Sequence, residues 1–365
     1  MEQKKVCVGV VGAGAISDIY LKNMINRFDN LYVKSICAAH IENAQKKAQE
    51  YGIQAVTMEE MYNDPEIRMI VNLTPAHVHY DVIKRALEHG KHVYTEKTLT
   101  DDINKSAELV RLAKEKGLYL GSAPDTFMGA ALQTARSAID SGMLGEIHSF
   151  AVSANRNNDI LLSLFDFLRK PGGGIVCDYA VYYVTALVSL LGPAARVGSI
   201  VGYPYPTHVN CVPGTPLYGQ TMDTPNESQV NAVLQFENGV TGTFHIDADS
   251  VMEDQAYFTI YGTKGILILT DPNQFGGQVR FLPNTPNPAD RQEPSVLQSV
   301  NEYSDNSRGI GPADLADTIL NGTPLRPSEE MAYHVHEVLN AMLEGGTSGG
   351  FTDIRSSCVR PEPLR

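Results

Sequence analysis

A short glycine-containing turn near the start of the chain has the residue types that bind a pyrophosphate. Gly12 and Gly14, followed by Ala15, Ile16 and Ser17, lie between a buried strand-like run and an amphipathic helical segment. Gly12 permits a tight turn, Gly14 lets the backbone approach a phosphate, and the small Ser17 allows close helix–strand packing. The turn therefore predicts a dinucleotide-binding βαβ unit, whose helix N-terminus supplies positive potential to an anionic cofactor.

A lysine after a later strand of the same region could act on a substrate oxygen. Lys97 follows Glu96 and the predicted strand Lys91–Thr95, on the carboxyl side of the sheet, where ligands bind in such folds. A lysine ammonium can hold a substrate oxygen and stabilise a developing alkoxide, and a partly desolvated lysine can act as a base. We expect Lys97 to be catalytic and to contact both substrate and cofactor, with Glu96 orienting it beside the cofactor.

Two side chains at helical spacing could take part in acid–base chemistry. Asp178 lies one helical turn before Tyr182, so both are expected to project from one face. A free phenol has a pKa of ~10, but an ammonium within a few Å could lower it by ~1–3. A pair of Tyr182 with Lys97 could then transfer a proton, while Asp178 binds substrate hydroxyls or orients Lys97. The alternatives are an aromatic wall or a core position for Tyr182, and a helix N-cap for Asp178.

Further candidates follow the ends of other predicted strands. We interpret Thr74, Pro75 and His79 as residues that shape the backbone close to the cofactor. Asp125 could bind a substrate hydroxyl or simply occupy a loop turn, and Asn155 could face the substrate cleft. No set of cysteine, histidine and carboxylate residues has the spacing of a metal site, so no metal is expected.

The elements that must position these residues change character along the chain. Up to about residue 121, short apolar runs alternate with amphipathic stretches of roughly 10–15 residues, which is typical of a doubly wound parallel sheet. From Ala195 to Leu282 most of the sequence alternates with period two, with hairpin turns at Glu237–Gly239 and Gly262–Gly265. We predict an α/β protein, with a dinucleotide-binding Rossmann domain over 1–124. An α/β domain with a large, open, mostly antiparallel sheet is predicted over 125–365, in which 271–307 form a loop.

Composition narrows the classes of partner. The 365 residues carry a formal net charge of −13 and are 43% hydrophobic. An acidic surface repels a polyanion, so no nucleic-acid partner is expected, and no apolar run approaches the ~18 residues of a membrane span. The five cysteines are scattered without a CxxC pair, and the N-terminus lacks the pattern of a secretory signal. These features predict a cytoplasmic protein without membrane partners.

Three further segments, taken with the glycine turn, carry a resemblance to a known family. They are Thr74–His79, Gly90–Thr98 and Gly172–Tyr183. Together they resemble the glucose–fructose oxidoreductase/inositol dehydrogenase (Gfo/Idh/MocA) family, and the resemblance runs over essentially the whole chain. It implies a Rossmann domain, an α/β domain with a large open sheet, a nicotinamide cofactor, and sugar-like or polyol-like substrates.

Two departures from the family pattern bear on the chemistry. The family's usual Glu-Lys-Pro is Glu-Lys-Thr at residues 96–98, which keeps the lysine and loses the proline. Its usual Asp-x-x-x-His is Asp178-x-x-x-Tyr182, which removes the histidine usually assigned the proton transfer. The stretches Ala123–Met128 and Gln133–Arg136, together with the segment that begins Tyr182-Tyr183, resemble a subgroup with a paired tyrosine at this site. Some members of that subgroup are similar to enzymes that oxidise the sugar of glycosides at its 3-hydroxyl.

The resemblance and the residues together lead to a functional hypothesis. We expect an NAD(P)-dependent oxidoreductase that oxidises a secondary hydroxyl of a sugar or glycoside, at C3. The alternatives are a myo-inositol or other polyol dehydrogenase, and a nucleotide-binding sensor without catalysis. An open sheet with one uncovered face predicts a homodimer or homotetramer.

The end of the second predicted strand bears on the choice of cofactor. An acidic residue there would bind the adenosine ribose and repel a 2′-phosphate, but Ala38 stands at that position. His40 or Lys34 could contact a phosphate. We expect Ala38 and His40 to lie against the cofactor, which we take to be NAD, with NADP left open.

Overall fold

The computed structural model describes residues 5–251, 255–348 and 350–364. It divides into two compact units. The first contains residues up to Asp125 together with Asn306–Tyr333, and the second contains Thr126–Asp305 together with residues from His334 onward. The domain boundary predicted after residue 124 lies beside the first division, whereas residues 306–333, which were expected in the second domain, belong to the first unit.

A six-stranded parallel sheet forms the centre of the first unit. In spatial order its strands are β3 (Gln54–Ala55), β2 (Leu31–Cys37), β1 (Val6–Val11), β4 (Met69–Asn72), β5 (His92–Thr95) and β6 (Leu120–Ser122). The connecting helices are α1 (Ser17–Asn26), α2 (Ile41–Tyr51), α3 (Met58–Asn63), α4 (His79–Glu88) and α5 (Ile103–Lys116). The strand order reverses between β1 and β4, which is the switch point where doubly wound sheets bind ligands. The predicted doubly wound sheet is confirmed.

Local sequence explains why these elements form. Every residue of β4 is buried, as a strand covered by helices on both faces requires. The short helix α3, which the sequence analysis did not identify, begins with a capping box. The Thr57 hydroxyl accepts the Glu60 N–H at 3.2 Å, and the Glu60 carboxylate accepts the Thr57 N–H at 2.8 Å. This pairing satisfies two backbone donors that the helix start would otherwise leave without partners.

A late segment of the chain completes the first unit. Helix α9 (Ile310–Asn321) packs against β1, β5, β6 and α1. One carboxylate oxygen of the buried Asp125 accepts the N–H groups of Gly309 at 3.2 Å and Gly311 at 3.1 Å. Because an anion stabilises a helix N-terminus, this contact joins α9 to the segment after β6. Residues 306–333 therefore belong to the first unit, although they are distant in sequence.

A nine-stranded sheet forms the second unit. In spatial order its strands are β16 (Ser295–Val296), β15 (Arg280–Pro283), β14 (Gly265–Leu269), β13 (Ala256–Gly262), β7 (Ile147–Asn155), β12 (Thr241–Asp247), β11 (Gln229–Phe236), β8 (Ala194–Gly202) and β17 (Phe351–Asp353). Neighbouring strands are antiparallel except β7 and β12, which are parallel. The large, mostly antiparallel sheet is confirmed. The prediction of a loop over 271–307 is wrong in part, since β15 and β16 lie there and are too short to show a period-two pattern.

Helices and a small hairpin complete the second unit. The helices are α6 (Ala130–Asp140), α7 (Asn158–Leu164), α8 (Val181–Leu191) and α10 (Glu329–Ser348), the last of which begins in residues of the first unit. A separate hairpin consists of β9 (Thr207–Val209) and β10 (Thr221–Asp223). Burial alternates along β11 and β12, as expected for a sheet with one covered face. Within the described ranges, no helix combines the length and the hydrophobicity that crossing a bilayer requires.

Candidate active site

The predicted glycine turn connects β1 to α1, and its two glycines have different structural requirements. Gly12 has a φ of +110°, and a Cβ there would lie 2.8 Å from the carbonyl carbon of Leu73. At Gly14 a Cβ would meet no atom within 4 Å. The Ser17 hydroxyl donates to the Gly14 carbonyl at 2.6 Å. Gly12 is therefore needed for the turn itself, whereas Gly14 leaves an open approach to the backbone.

The start of α1 fits the pyrophosphate of a dinucleotide. Ile16 stands at the N-cap and makes no side-chain cap hydrogen bond, and Gly14 and Ala15 are exposed. The first amide groups of a helix have no intrahelical partner, and together with the helix dipole they form an anion site. The open backbone at Gly14 and this uncapped helix start match the geometry that a bound dinucleotide needs.

The end of β2 presents no carboxylate to an adenosine ribose. The strand ends at Cys37, Ala38 is half-buried, and His40 is exposed just before α2. Lys34 lies inside the strand, and its ammonium is 2.6 Å from Asp64 and 2.5 Å from Glu66. The suggestion that Lys34 contacts a phosphate is therefore not supported, because two carboxylates already hold it. His40 is an exposed basic side chain near the strand end.

An asparagine that the sequence analysis overlooked organises the switch point. The buried Asn72, the last residue of β4, accepts hydrogen bonds from the Thr74 N–H at 3.2 Å and from the Thr74 hydroxyl at 2.7 Å. Its amide donates to the Thr95 hydroxyl at 2.9 Å. Asn72 thus ties the turn after β4, which contains the exposed Pro75, to the end of β5. This arrangement agrees with the predicted backbone-shaping role of Thr74.

His79 connects the same turn to the segment that carries Lys97. It is completely buried, with Nδ1 2.7 Å from the Thr98 carbonyl oxygen and Nε2 2.7 Å from the Thr74 carbonyl oxygen. Burial lowers the pKa of His79, and the two carbonyl groups oppose that shift. The imidazole therefore bridges the backbone carbonyl groups of Thr74 and Thr98, as expected for a residue that shapes the backbone of the site.

Glu96 fixes the backbone of Lys97 directly. One oxygen of the buried Glu96 accepts the Tyr20 hydroxyl at 2.7 Å, and the other accepts the Lys97 N–H at 3.0 Å. Burial, followed by the carboxylates of Glu96 and Asp125, raises the pKa of Tyr20, so its phenol remains a hydrogen-bond donor. Lys97 itself is half-buried, and the Lys97–Thr98 peptide is cis. Tyr20 is a further site-supporting residue that the sequence analysis did not single out.

Asp125 lies deep within the first unit. Both of its described hydrogen bonds hold the start of α9, and its side chain is 1% exposed. Burial raises its pKa to about 6, and Arg308 opposes this shift. These contacts favour a structural role, and substrate binding by Asp125 stays a prediction.

The second unit carries Asp178 and Tyr182 on one continuous helix. The helix starts with a π-helical turn, Val176–Ala180, and continues as α8. The N-cap alternative for Asp178 is wrong, because Ile175 occupies that position and Asp178 lies inside the turn. π-helical turns in α-helices are frequent at functional sites. Asp178 is half-buried and Tyr182 is 8% exposed.

A cluster of aromatic and charged side chains surrounds this helix. The Tyr179 hydroxyl donates to Asp271 at 2.9 Å and lies 3.4 Å from the Tyr183 hydroxyl. The Arg156 guanidinium is 4.7 Å from the centre of the Tyr179 ring. Burial, followed by the Asp271 carboxylate, raises the pKa of Tyr179 and of Tyr183. Of the paired tyrosines, Tyr183 is therefore a buried neutral phenol, and Tyr182 stays the candidate for proton transfer.

Asn155 uses both ends of its side-chain amide inside the second unit. The nitrogen donates to the Ser250 hydroxyl at 2.9 Å, and the oxygen accepts the Gln255 N–H at 2.9 Å. These bonds join the end of β7 to the connection between β12 and β13. They favour a structural role, so substrate binding by Asn155 stays a prediction. The pairing of Lys97 with Tyr182 also stays a prediction, because the two residues belong to different units. In the described part of the chain, no three metal-ligating side chains cluster.

Known proteins are similar to this chain in sequence and in fold. Residues 6–123 match the model of the oxidoreductase family with an NAD-binding Rossmann fold, and residues 132–268 match the Gfo/Idh/MocA C-terminal domain. The uncharacterized oxidoreductase YhhX of Escherichia coli is 28% identical over 80% of each chain. The dTDP-3,4-didehydro-2,6-dideoxy-alpha-D-glucose 3-reductase of Streptomyces violaceoruber is 26% identical over 75% of this chain and 80% of its own length.

A solved structure agrees with the fold. A levoglucosan dehydrogenase in complex with NADH and L-sorbose superposes with a TM-score of 0.84 at 19% identity, covering 96% of this chain and 99% of that one. The family match confirms the predicted NAD-binding Rossmann domain. The two matched segments cover more than half of the sequence, and the chain belongs to the Gfo/Idh/MocA family of oxidoreductases, whose Rossmann domain binds NAD.

Proposed function

We propose that this protein oxidises a secondary hydroxyl, at C3, of a sugar or glycoside. The observation that carries the proposal is the placement of Lys97 after β5, with its N–H held by Glu96 and Glu96 held in turn by Tyr20. A lysine fixed at the carboxyl edge of a Rossmann sheet is well placed to hold a substrate oxygen. The relative whose name describes a 3-reductase of a nucleotide-linked sugar supports C3 as the position.

The residues of this chain have separate tasks in the proposed reaction. The turn over 12–16 and the start of α1 would hold the nicotinamide cofactor, which supplies the hydride acceptor. The Lys97 ammonium holds the reacting hydroxyl oxygen of the substrate and stabilises the negative charge that develops on this oxygen as the hydroxyl proton leaves. Tyr182, ionised to its phenolate, accepts that proton and becomes a neutral phenol, and Asp178, on the preceding helical turn, binds a neighbouring hydroxyl. NAD is the proposed cofactor, because the matching family model describes an NAD-binding Rossmann fold and Lys34 is paired with two carboxylates.

The tyrosine at 182 favours a glycoside over an inositol as substrate, because it replaces the histidine of the usual family pattern. The test is to mix the protein with NAD or NADP and a matched panel of pyranosides, free sugars and inositols, and to follow absorbance near 340 nm. Reduction of the product with borodeuteride then labels the oxidised carbon for NMR. Label at C3 of a glycoside supports the proposal, and label only in inositol supports a polyol dehydrogenase.

Lys97→Met serves as the inactive control in this panel. Single-turnover spectra of the purified protein detect reduction of a bound cofactor that is not released between turnovers. Absence of spectral change with every substrate, in both the steady state and a single turnover, would identify a nucleotide-binding sensor instead.

We further propose that the chain works as a homodimer or homotetramer. The uncovered face of the large sheet exposes large apolar side chains: Ile200, Val233, Tyr257 and Phe351. Exposed apolar side chains that share one face of a sheet mark protein–protein contacts, and a second copy would cover them symmetrically. Light scattering should show an oligomer that Val233→Glu dissociates, whereas a monomeric wild type would refute the proposal.

A further inference from the structure

The start of the Asp178 helix borders a small polar cavity within the second unit. The cavity has a volume of about 20 Å³, which is room for about one water molecule. Its wall includes Asp178, Glu227, Asn226 and Asn158. Asp178 has a task in the proposed reaction and Glu227 has none, although burying a carboxylate is costly unless it is paired or hydrogen-bonded.

Glu227 binds the first amide groups of that helix. Its side-chain oxygen accepts the Val176 N–H at 3.0 Å, and its main-chain carbonyl accepts the Ile175 N–H at 3.1 Å. The Asp178 N–H donates in turn to the Gly174 carbonyl at 2.8 Å. The backbone of Asp178 is therefore connected through one short segment to residue 227, which lies 51 residues from Val176.

The segment around Glu227 is itself firmly held. The Asn226 amide donates to the Leu168 and Lys170 carbonyls, both at 2.8 Å. On the other side, the Ser228 hydroxyl donates to Asp249 at 2.5 Å. Because both neighbours are fixed, Glu227 has little freedom to withdraw from the helix start.

Gly174 leaves the space that the Glu227 carboxylate occupies. A Cβ at position 174 would lie 2.1 Å from one carboxylate oxygen and 2.2 Å from the other. Only a residue without a side chain allows this approach, so part of the glycine run at 172–174 is explained by Glu227. The glycine run is visible in the sequence, but no neighbouring residue indicates that Glu227 packs against it.

We propose that Glu227 is a positioning residue, which through the Val176 amide and the Gly174 backbone sets the orientation of Asp178 and Tyr182 toward the substrate. The assignment of their chemistry rests on the proposed function. Glu227 itself touches neither substrate nor cofactor in this scheme. Misplacing a catalytic group by about 1 Å can cost roughly 100-fold in rate, so the loss of this contact should appear mainly in kcat.

Three variants test the inference together with the wild type. Glu227→Ala removes the acceptor and should lower kcat roughly 10- to 100-fold, with a KM for NAD within about 2-fold, because the nucleotide turn lies in the other unit. Glu227→Gln keeps an oxygen for the Val176 N–H and should retain kcat within about 3-fold. Gly174→Ala should imitate Glu227→Ala, because its methyl group displaces the carboxylate.

The Gly174→Ala/Glu227→Ala double variant supplies the decisive comparison. The space vacated by Glu227 accepts the new methyl group, so the double variant should be no slower than Glu227→Ala alone. Independent effects would instead multiply. Multiplicative losses, or a Glu227→Gln variant as slow as Glu227→Ala, would overturn the positioning role.

Hydrogen exchange tests the positioning role of Glu227 even when no substrate is known. Amide exchange over 175–182, followed by mass spectrometry, should accelerate about 10-fold or more in Glu227→Ala. The control is Glu337→Ala, which removes a different carboxylate that accepts backbone N–H groups, those of Arg355 and Ser356, and should leave this segment and kcat unchanged. An inactive wild type would contradict the proposed function, whereas unchanged exchange over 175–182 in Glu227→Ala would contradict this inference.

Discussion

The hydroxyl of Tyr20 holds the carboxylate of Glu96 at 2.7 Å, and the second carboxylate oxygen holds the Lys97 backbone. Tyr20→Phe leaves a buried oxygen without its donor, which should destabilise the fold by ~1–3 kcal/mol and lower kcat by loosening the Lys97 segment. Denaturant unfolding and steady-state kinetics measure the two effects.

The matched control for this prediction is Tyr62→Phe. Tyr62 is also buried in the first unit, and its hydroxyl donates to the Val82 carbonyl at 3.1 Å. Its loss should reduce stability without changing kcat. Equal kinetic effects from the two variants would mean that the Tyr20–Glu96 contact contributes only to stability.

The two glycines of the nucleotide turn should respond differently to alanine. Gly12→Ala places a Cβ 2.8 Å from the Leu73 backbone at a φ of +110°, so it should lower both the unfolding temperature and the affinity for NAD. Gly14→Ala meets no atom within 4 Å and should leave the unfolding temperature unchanged while obstructing the pyrophosphate. Calorimetric titration with NAD, beside thermal unfolding, distinguishes them, and full NAD affinity in Gly14→Ala would refute the predicted binding mode.

The tyrosine pair allows a direct test of proton transfer. Tyr182→Phe should lower kcat roughly 10²- to 10⁴-fold and remove an ionisation from the pH profile of kcat. Tyr183→Phe changes a neighbouring buried phenol, whose hydroxyl lies near Tyr179, and should keep the profile of the wild type. Turnover that is unchanged across pH in Tyr182→Phe would eliminate its proton-transfer role.

Asp125 should make the stability of the protein depend on pH. Its pKa rises from 3.8 to about 6 on folding, so the folded state binds the proton more tightly than the unfolded state. This contribution is fully present below pH ~4 and is lost as the pH rises through 6, a change of about 3 kcal/mol. Asp125→Asn removes the titration while keeping an oxygen for the amides of Gly309 and Gly311.

Denaturant unfolding of both proteins between pH 4 and pH 7.5 checks this prediction. The free energy of unfolding of Asp125→Asn should improve relative to the wild type as the pH rises. Parallel curves would show that Asp125 does not titrate in this range.

Features set by neighbouring residues could be predicted from the sequence, and contacts between distant segments could not. The strand–turn–helix around Gly12 and Gly14 depends on residues within one short segment, so its pattern is visible in the sequence. The partner of Asp125 lies 184 residues away at Gly309, and Tyr20 and Glu96 are 76 residues apart. No periodicity or spacing connects such pairs.

Some features at the starts of helices were also missed in the sequence. The capping box of Thr57 and Glu60 was present in the sequence, yet the six-residue helix α3 that follows it is too short to show a helical repeat. The π-helical turn at Val176–Ala180 has a hydrogen-bond partner at its start, Glu227, that lies 51 residues from Val176. The spacing of Asp178 and Tyr182 was therefore enough to predict them as candidates, whereas the way in which their helix begins could not be predicted.

The contact between Asp125 and the start of α9 has a consequence for synthesis of the chain on the ribosome. The nucleotide-binding unit begins to emerge first, but it lacks its last helix until residues 126–305 have also been made. A nascent chain that stops after β6 exposes the surface that α9 covers and leaves the Asp125 carboxylate without its two amide donors. The unit that starts first is thus completed late, and a gene fragment for a working nucleotide-binding module must include the codons for α9.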